Sequence, residues 1–587
     1  MNQTSTRSGL FRKALIGLGL ALTVSSIGVS ASSAAKVAVD TKSGGDITVV
    51  QWDQLTNRCY GNPGNGAQAV MKSVFEGLFE QKVTGEIVPF LAEGYSHSAD
   101  YKTWTVKIRK GIKYHDGEEL TPTNVALNLN TLQGQTTLSR GLGANLHLAG
   151  SGIAFLGNVK LDGISVSGDN VVIQLYNPRV DLLASMYASG RFYLRSTASI
   201  NDKTTCEQNP AGTGPFKWSG AYNTDTIKVV KNASYWRKDK DGIKLPYLDS
   251  ITFKYVPSGA ARANAVRSGS AHLAMFASSS DAKQMSSLLK DKKVNVTLTK
   301  NNYYPVFAPN VAIEPFNNKN ARLAVAYAFN QNAYFKARNC TNGACFGEAR
   351  DSIVGKQNIM YNTAGAIKFD LAKAKAAVAA YKTDTGKDLS FTIQVGTGDD
   401  GGLENAKYLV KMLTKAGMKV EINQTYSSAD LVTLVYPGFA AIAAGKLNPF
   451  QFNTINVYEN TGTDFIAPFL PSNAFSEPGN TKNTESGGVV GLVGKQLNTT
   501  RHADTVRDEL IWTALSETNQ AKRVKAWKAV TKYLQENAFN VPVPGQQYGV
   551  ATSKKLLGYD KFTLVSGGQG IAIANYGINY SGVYLQK

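Results

Sequence analysis

The most suggestive chemical motif in the sequence is a glycine-rich loop between a predicted strand and a predicted helix. Residues 396–401 have the spacing G-x-G-x-x-G, and Glu421 follows at a distance typical of an acid that binds a ribose hydroxyl. However, Asp399 and Asp400 occupy the loop, where their negative charge would repel a pyrophosphate. We therefore interpret the loop as a plain strand-to-helix turn and predict that the protein has no cofactor.

Other residues able to do chemistry are present without the spacing that catalysis or metal binding needs. No histidine belongs to an H-E-x-x-H pattern, and no serine lies in a G-x-S-x-G elbow. Paired carboxylates of a hydrolase come from distant strands, so spacing does not reveal them. We predict no metal site and no catalytic residue. The five histidines are interpreted as surface or packing residues: His97, His115, His147, His272 and His502.

Four cysteines are the remaining reactive side chains, and they allow three pairings. Between Cys340 and Cys345, the dipeptide Asn342-Gly343 favours a tight turn, which predicts a local disulfide. That pairing leaves Cys59 to bond with Cys206. Disulfides persist in oxidising compartments, so the prediction requires an exported protein.

The first 35 residues have the pattern of a secretory signal peptide. Arg7, Arg12 and Lys13 form a charged start, and the apolar stretch 14–29 is shorter than the about 20 residues that a spanning helix needs. Small residues at 33–35 fit a cleavage site, which predicts a mature start near Lys36; an uncleaved anchor is the alternative. No cysteine lies near this point, so we predict no lipid anchor. The expected location is the periplasm or cell envelope.

The chemistry-bearing residues must be positioned by a mixture of strands and helices. Residues 47–52 and 104–109 read as strands, and in the second of these Trp104, Val106 and Ile108 share one face. The apolar spacing of Met71, Val74, Phe75 and Leu78 predicts a helix through residue 78, and Thr121 precedes Pro122 as a helix cap.

Further along the chain, strand 389–395, helix 403–416 and strand 418–422 form a β-α-β unit, and residues 524–534 a further helix. Units of this kind predict parallel strands and an α/β fold.

Composition and charge exclude several classes of protein. Hydrophobic residues make up 43% of the 587 residues and charged residues 18%, so the chain is neither disordered nor of low complexity. The net charge is +20. This charge is compatible with an anionic partner, but no run of five like charges occurs, so we interpret it as a matter of solubility and predict no nucleic-acid partner.

A set of motifs, in order along nearly the whole mature chain, resembles the extracellular solute-binding proteins of family 5, the peptide, oligopeptide and nickel class serving ABC importers. The run 103–117 is the most specific of them. The matching segments are 76–80, 88–93, 103–109, 111–117, 121–125, 210–216, 232–236, 245–249, 310, 315–316, 322–330 and 508–544.

The resemblance implies an α/β fold of the two-lobed periplasmic-binding-protein type, a Venus flytrap with two hinge strands and an extra subdomain in lobe one. Lobe one would comprise residues 46–302 and 545–587, and lobe two residues 303–544. A solute would be enclosed between them by hinge closure. Because the family's motifs are mostly turns and core contacts, the turn at 115–117 is interpreted as structural.

The resemblance also implies the ligand-binding residues. In peptide carriers an acid of lobe two meets the ligand's amino group, and Glu459 is the matching acid here. Trp52, at the end of the first strand, would offer a flat aromatic surface, and Tyr303 and Tyr304 would lie at the crossover between the lobes.

The implied protein is a monomeric, non-enzymatic carrier that delivers a small peptide or peptide-like solute to an ABC permease. The alternatives are a secreted hydrolase of peptides or oligosaccharides and, third, a basic envelope- or nucleic-acid-binding protein.

Overall fold

The computed structural model describes most of the chain from Asp40 onward. The described residues are 40–52, 68–132, 163–175, 178–187, 192–221, 223–299, 303–356, 358–435, 448–458, 501, 504–574 and 577–587. They belong to one structural unit that spans Asp40–Lys587. The predicted signal peptide at residues 1–35 lies outside the described residues.

The described residues contain fourteen helices, numbered in chain order. They are α1 Gln68–Val74, α2 Pro122–Leu132, α3 Leu182–Tyr187, α4 Thr197–Asn201, α5 Lys203–Gln208, α6 Gly259–Ser268, α7 Ser278–Leu289, α8 Lys319–Ala328, α9 Gln331–Asn339, α10 Leu371–Thr385, α11 Asp400–Thr414, α12 Ser428–Val435, α13 Thr505–Ser516 and α14 Gln520–Glu536.

The same residues contain twenty-four strands. They are β1 Asp46–Gln51, β2 Phe79–Gln81, β3 Ile87–Pro89, β4 Ala92–His97, β5 Thr103–Ile108, β6 Ile164–Ser167, β7 Asn170–Gln174, β8 Phe216–Ser219, β9 Thr226–Lys231, β10 Ser250–Tyr255, β11 Leu273–Ala277, β12 Val294–Leu298, β13 Tyr303–Pro309, β14 Cys340–Thr341, β15 Ala344–Cys345, β16 Ser390–Gln394, β17 Lys419–Asn423, β18 Phe452–Tyr458, β19 Val541–Pro542, β20 Tyr548–Ser553, β21 Leu556–Leu557, β22 Ile573–Ala574, β23 Gly577–Ile578 and β24 Tyr584–Leu585.

The largest sheet has seven strands in the order β12-β20-β11-β1-β10-β9-β8. Strand β1 lies at its centre, parallel to both β10 and β11. All five residues of β11 are buried, as expected for a strand covered on both faces. Strand β20 inserts antiparallel between β11 and β12, so the chain leaves this sheet after β12 and returns to it near its C-terminal end.

A four-stranded antiparallel sheet, β4-β5-β7-β6, lies beside the first and has a core of its own. The predicted inward face of β5 is confirmed, because Trp104, Val106 and Ile108 are buried while Lys107 is exposed. The helix cap predicted before α2 is also confirmed, since the backbone N–H of Asn124 donates to Thr121 Oγ1 at 3.2 Å.

The second large sheet has five strands in the order β17-β16-β18-β13-β19. The predicted β-α-β unit is present as β16, α11 and β17, and its two strands are parallel. Gly417 follows the helix with φ +95°, a conformation that favours glycine and turns the chain into β17. All of these strands lie between residues 303 and 542.

The chain crosses between the two large sheets twice, and the two crossover segments run side by side. The first joins β12 to β13 and the second joins β19 to β20. The backbone N–H of Thr299 donates to Tyr548 O at 2.8 Å, and Gln547 Nε2 donates to Thr299 O at 2.9 Å. At the end of the segments nearer the five-stranded sheet, Val543 N donates to Pro305 O at 3.0 Å. The two segments therefore form one hydrogen-bonded pair.

Helix α1 is shorter than the apolar spacing predicted, because it ends at Val74 and Leu78 lies outside it. The carbonyl oxygens of residues 76–78 accept from partners outside the helix: Glu76 O from Leu194 N, Gly77 O from Leu91 N, and Leu78 O from Phe90 N. A side chain on Gly77 would also lie 2.7 Å from the Phe192 carbonyl oxygen. Leu78 is still buried, so the spacing identified the core residues correctly and the end of the helix wrongly.

Glu76 is a buried carboxylate that joins the end of α1 to two later turns. Its Oε1 accepts from Tyr235 Oη at 2.5 Å, and its Oε2 accepts from Trp236 Nε1 at 3.0 Å and Thr213 Oγ1 at 2.9 Å. A side chain on Gly212 would lie 2.2 Å from the Val74 carbonyl oxygen, so the turn that carries Thr213 requires glycine. Burial raises the pKa of Glu76 to about 7, despite these three donors.

His115 also binds the turn at 212–214, which agrees with its interpretation as a structural residue. The backbone N–H of Gly212 donates to His115 Nδ1 at 3.3 Å, which leaves the proton on Nε2, and Nε2 donates to Gly214 O at 2.9 Å. Burial lowers the pKa of His115 to about 4, so the ring is neutral at physiological pH.

We expect the pH dependence of stability to change in the variant Glu76→Gln. In the unfolded chain Glu76 titrates near its ordinary value of 4.5, and in the folded protein near 7, so the folded protein binds the extra proton between these values. The contribution of Glu76 to stability is therefore fully present below pH 4.5 and is lost as pH rises through about 7.

Urea unfolding of both proteins at pH 5 and pH 8 measures this effect. The free energy of unfolding of the wild type relative to Glu76→Gln should fall by on the order of 1–3 kcal/mol between the two pH values. His115 has the opposite pH dependence but is present in both proteins, so it cancels. A difference that is constant with pH would contradict the raised pKa.

Candidate functional site

The aromatic residue predicted for the first lobe, Trp52, lies where β1 ends beside the crossover pair. It is half-buried, and its ring stacks on that of Tyr548, with 6.3 Å between centroids and 11° between planes. Tyr548 is the first residue of β20, directly after the second crossover. Tyr548 is buried and Trp52 packs against the core of the seven-stranded sheet, so the pair lies where this sheet meets the second crossover.

Arg262 lies against the Trp52 ring of this aromatic pair. Its guanidinium carbon lies 5.8 Å from the centroid of the Trp52 ring, and its Nη2 donates to Asp281 Oδ2 at 2.6 Å. The guanidinium group also donates hydrogen bonds to the backbone carbonyl oxygens of Met275, Val256 and Pro257. A cation at this distance attracts the face of the ring, so the fixed guanidinium group stabilises the position of Trp52.

The other predicted ligand residues lie on the five-stranded sheet. Tyr303 and Tyr304 begin β13, and their backbones pair with Tyr458 and Val457 of β18. Both residues therefore follow directly after the segment that joins β12 to β13, and their role in ligand binding stays a prediction. The described structure does not include their side chains. Glu459 lies outside the described residues, so its role stays a prediction.

A buried ionic contact far along the chain from the crossovers was not predicted. Asp181, just before α3, accepts from Arg179 Nε through Oδ1 at 3.0 Å. Its Oδ2 lies 3.6 Å from Nη2 of Arg523, which is in the first turn of α14. All three side chains are no more than 9% exposed.

The contact joins the part of the molecule built on the seven- and four-stranded sheets to the part built on the five-stranded sheet. These parts are called the two halves below. Asp181 precedes a helix that packs in the core of the four-stranded sheet, whereas α14 packs among the residues that cover the five-stranded sheet. Within the described residues, Asp181–Arg523 is the one ion pair that joins these parts. No sequence signal identifies it, because the two residues are more than 300 positions apart and no local spacing links them.

The predicted local disulfide is present and lies next to the crossovers. Cys340 and Cys345 are bonded and face each other across the β14-β15 hairpin, with Asn342 and Gly343 at positive φ in the turn. Phe346, directly after the hairpin, is buried in the core cluster around α7, together with residues of the seven-stranded sheet. The hairpin thus fixes the five-stranded side against α7.

The second predicted disulfide is described at one end only. Cys206 is fully buried and is disulfide-bonded. Its predicted partner, Cys59, lies outside the described residues.

The glycine-rich loop has the local structure of the predicted turn. Asp399 is the N-cap of α11 and accepts from Gly402 N at 2.8 Å. A side chain on Gly401 would lie 2.8 Å from Ser280 Cβ of α7, so this glycine allows two helices to approach each other. Among the described residues, no group of three or more His, Cys, Asp or Glu is placed to hold a metal ion.

The sequence profile of the bacterial extracellular solute-binding proteins, family 5 (middle region), matches residues 86–476, about two thirds of the chain. The protein therefore belongs to this family. The glutathione-binding protein GsiB of Salmonella choleraesuis (strain SC-B67) is 28% identical over 276 residues, which cover 46% of this chain and 49% of GsiB. The match thus spans about half the length of that curated relative.

Solved structures similar to this one cover nearly the whole chain. The periplasmic binding protein DppA from Helicobacter pylori, in complex with the peptide STSA, superposes with a TM-score of 0.72 at 18% identity, over 93% of this chain and 99% of DppA. AgaA from A. tumefaciens R10, in complex with agropinic acid, gives 0.71 at 20% identity, over 92% and 99%. The fold is therefore the two-lobed α/β periplasmic-binding-protein fold. No helix in the described part of the chain combines the length and apolar character of a membrane span.

The variant Arg523→Met tests whether the Asp181 contact holds the two halves together. It removes the ion pair but leaves Asp181 bonded to Arg179, so that no new buried charge is created. We expect the radius of gyration of the ligand-free protein, measured by small-angle X-ray scattering, to increase. Lys522→Met is the matched control, because Lys522 is exposed on the same turn. Equal radii for both variants and the wild type would contradict the interpretation.

Proposed function

We propose that this protein captures a peptide-like solute between its two lobes and delivers it to the permease of an ABC importer. Membership of family 5 carries this proposal. Its relatives support it further, since GsiB is named for binding glutathione and DppA was solved with a peptide. AgaA, solved with agropinic acid, indicates that this fold also accepts other small polar solutes.

In the proposed arrangement, lobe one comprises residues 46–302 and 545–587, and lobe two residues 303–544. This division follows the two large sheets and cuts the chain at the two crossovers. The ligand would lie against Trp52 from lobe one, with Tyr303 and Tyr304 at the crossover. The hydrogen-bonded crossover pair would act as the hinge.

An enclosed peptide must have its charged ends satisfied, because an unpaired buried charge is costly. We assign the ligand's amino group to Glu459 of lobe two. The protein would bind its solute without breaking a bond, act as a monomer and have no nucleic-acid partner. Residues 1–35 would direct its export, and N-terminal sequencing of the exported protein should find Lys36 at the start; an intact Met1 would contradict cleavage.

Native mass spectrometry of the purified protein tests the function directly, since closed carriers retain their ligand. We expect a bound peptide-like mass that dissociates intact. A pool of peptides incubated with the protein should be recovered unchanged. Progressive cleavage of the pool would favour the alternative function, a secreted hydrolase.

Calorimetry with the co-purified ligand then tests Glu459. The variant Glu459→Gln should lose about 1–3 kcal/mol of binding free energy, because the ligand's amine loses its charged partner. Glu421→Gln is the matched control, since Glu421 is exposed on β17. Unchanged affinity in Glu459→Gln, or a ligand without an amine, would remove Glu459 from the proposed site.

A further inference from the structure

Phe346 comes from the half built on the five-stranded sheet, but it is buried in the core of the other half. It directly follows the β14-β15 hairpin, and the hairpin follows α9, which buries Tyr334 in the core of the five-stranded sheet. Phe346 is 1% exposed, and within the described residues every other buried member of its cluster belongs to the half built on the seven-stranded sheet. This apolar cluster is called the socket below, and its members from α7 are Ala282, Met285 and Leu288.

The backbone at Phe346 is fixed to the end of α9. Phe346 N donates to Asn339 O, and Asn339 Nδ2 donates to Phe346 O, both at 2.9 Å. The Cys340–Cys345 disulfide closes the hairpin between these two residues. Because Asn339 is buried as well, the two hydrogen bonds are shielded from water. The ring of Phe346 is thus mounted on α9 and moves with that helix.

Directly after Phe346 the chain pairs with the second crossover segment. Gly545 N donates to Glu348 O at 2.8 Å, and Glu348 N donates to Gly545 O at 3.4 Å. Gly347 has φ +99°, and a side chain on it would collide with the carbonyl oxygen of Gly545, so the close approach of the two backbones requires glycine. Since Glu348 is only two residues from Phe346, the ring enters its socket close to the crossovers.

Other contacts across the boundary have a different chemical character. Asp181 and Arg523 form an ion pair, and the approach of Gly401 to Ser280 brings together small residues, of which Ser280 is exposed. Water can solvate such groups once they separate. Separation of Phe346 from its socket would instead expose an aromatic ring and the apolar side chains around it, which is unfavourable. The polar contacts can therefore open and close in water, whereas Phe346 should remain in place.

We propose that Phe346 and its socket form a permanent third joint between the halves, beside the two crossovers, and that the ring stays seated while the lobes open and close. Two neighbouring chain segments alone allow both bending and twisting between the halves. A third attachment outside the crossover pair opposes the twist and leaves bending as the main motion. This role in lobe motion rests on the proposed function. The joint itself is measurable in solute-free protein, so a failed joint and a failed carrier give different results.

Hydrogen–deuterium exchange of α7, in protein freed of solute by unfolding, dialysis and refolding, tests whether the ring is seated. In Phe346→Ala, peptides from Ser278–Leu289 should exchange at least about tenfold faster than in the wild type, because a cavity opens beside α7. Phe346→Leu keeps most of the volume and should give a smaller increase in the same peptides. The matched control is Phe369→Ala, which should leave α7 unchanged, since Phe369 lies in the same half as Phe346 but is 46% exposed.

Unchanged exchange of α7 in both Phe346 variants would overturn the proposal, because a ring that leaves its socket in the absence of solute cannot protect α7.

Pulsed electron paramagnetic resonance tests whether the seated ring restrains the motion of the halves. Spin labels on Lys228→Cys and Lys375→Cys, at exposed positions of β9 and α10, report the distance between the halves. In solute-free protein the distribution of this distance should be broader in Phe346→Ala than in the wild type, and Phe369→Ala should match the wild type. Equal widths in all three proteins would overturn the joint, whatever the exchange of α7.

Discussion

The hydrogen bonds between Thr299 and Tyr548 set the constraint on which the rest of the structure depends. They pair the two segments through which the chain crosses from the seven-stranded sheet to the five-stranded sheet and back. Because β20 must return to lie between β11 and β12, both crossovers are held at one edge of the seven-stranded sheet. Trp52 lies beside this pair of segments, because its ring stacks on that of Tyr548.

The interior of each half and the boundary between the halves are held together differently. Inside the first half, Glu76 and His115 fix the turn at 212–214 through buried hydrogen bonds, and the close approach of Gly212 to Val74 leaves no room for adjustment. Between the halves, the described contacts include the crossover pair, the disulfide hairpin, the close approach of α7 and α11 at Gly401, and the Asp181–Arg523 ion pair at 3.6 Å.

Sequence reasoning found the parts of this structure that local patterns encode. The alternation around Trp104, the Asn342-Gly343 turn and the β-α-β unit from residue 390 depend on neighbours in sequence, and the structure contains all three. The end of α1 was predicted wrongly, because the carbonyl partners of Glu76 and Gly77 lie on distant segments. The insertion of β20 and the Asp181–Arg523 contact are long-range features for which no local spacing exists. Of the predicted ligand residues, Trp52 has its ring described, while Glu459 lies outside the described part of the chain.

Hydrogen–deuterium exchange of the protein with and without its co-purified ligand tests most directly whether a solute is enclosed between the two sheets. Ligand binding should slow exchange in two groups of peptides at once, one containing Trp52 and the start of β20, the other containing the start of β13. Protection confined to one sheet, or none in either, would contradict enclosure between the lobes.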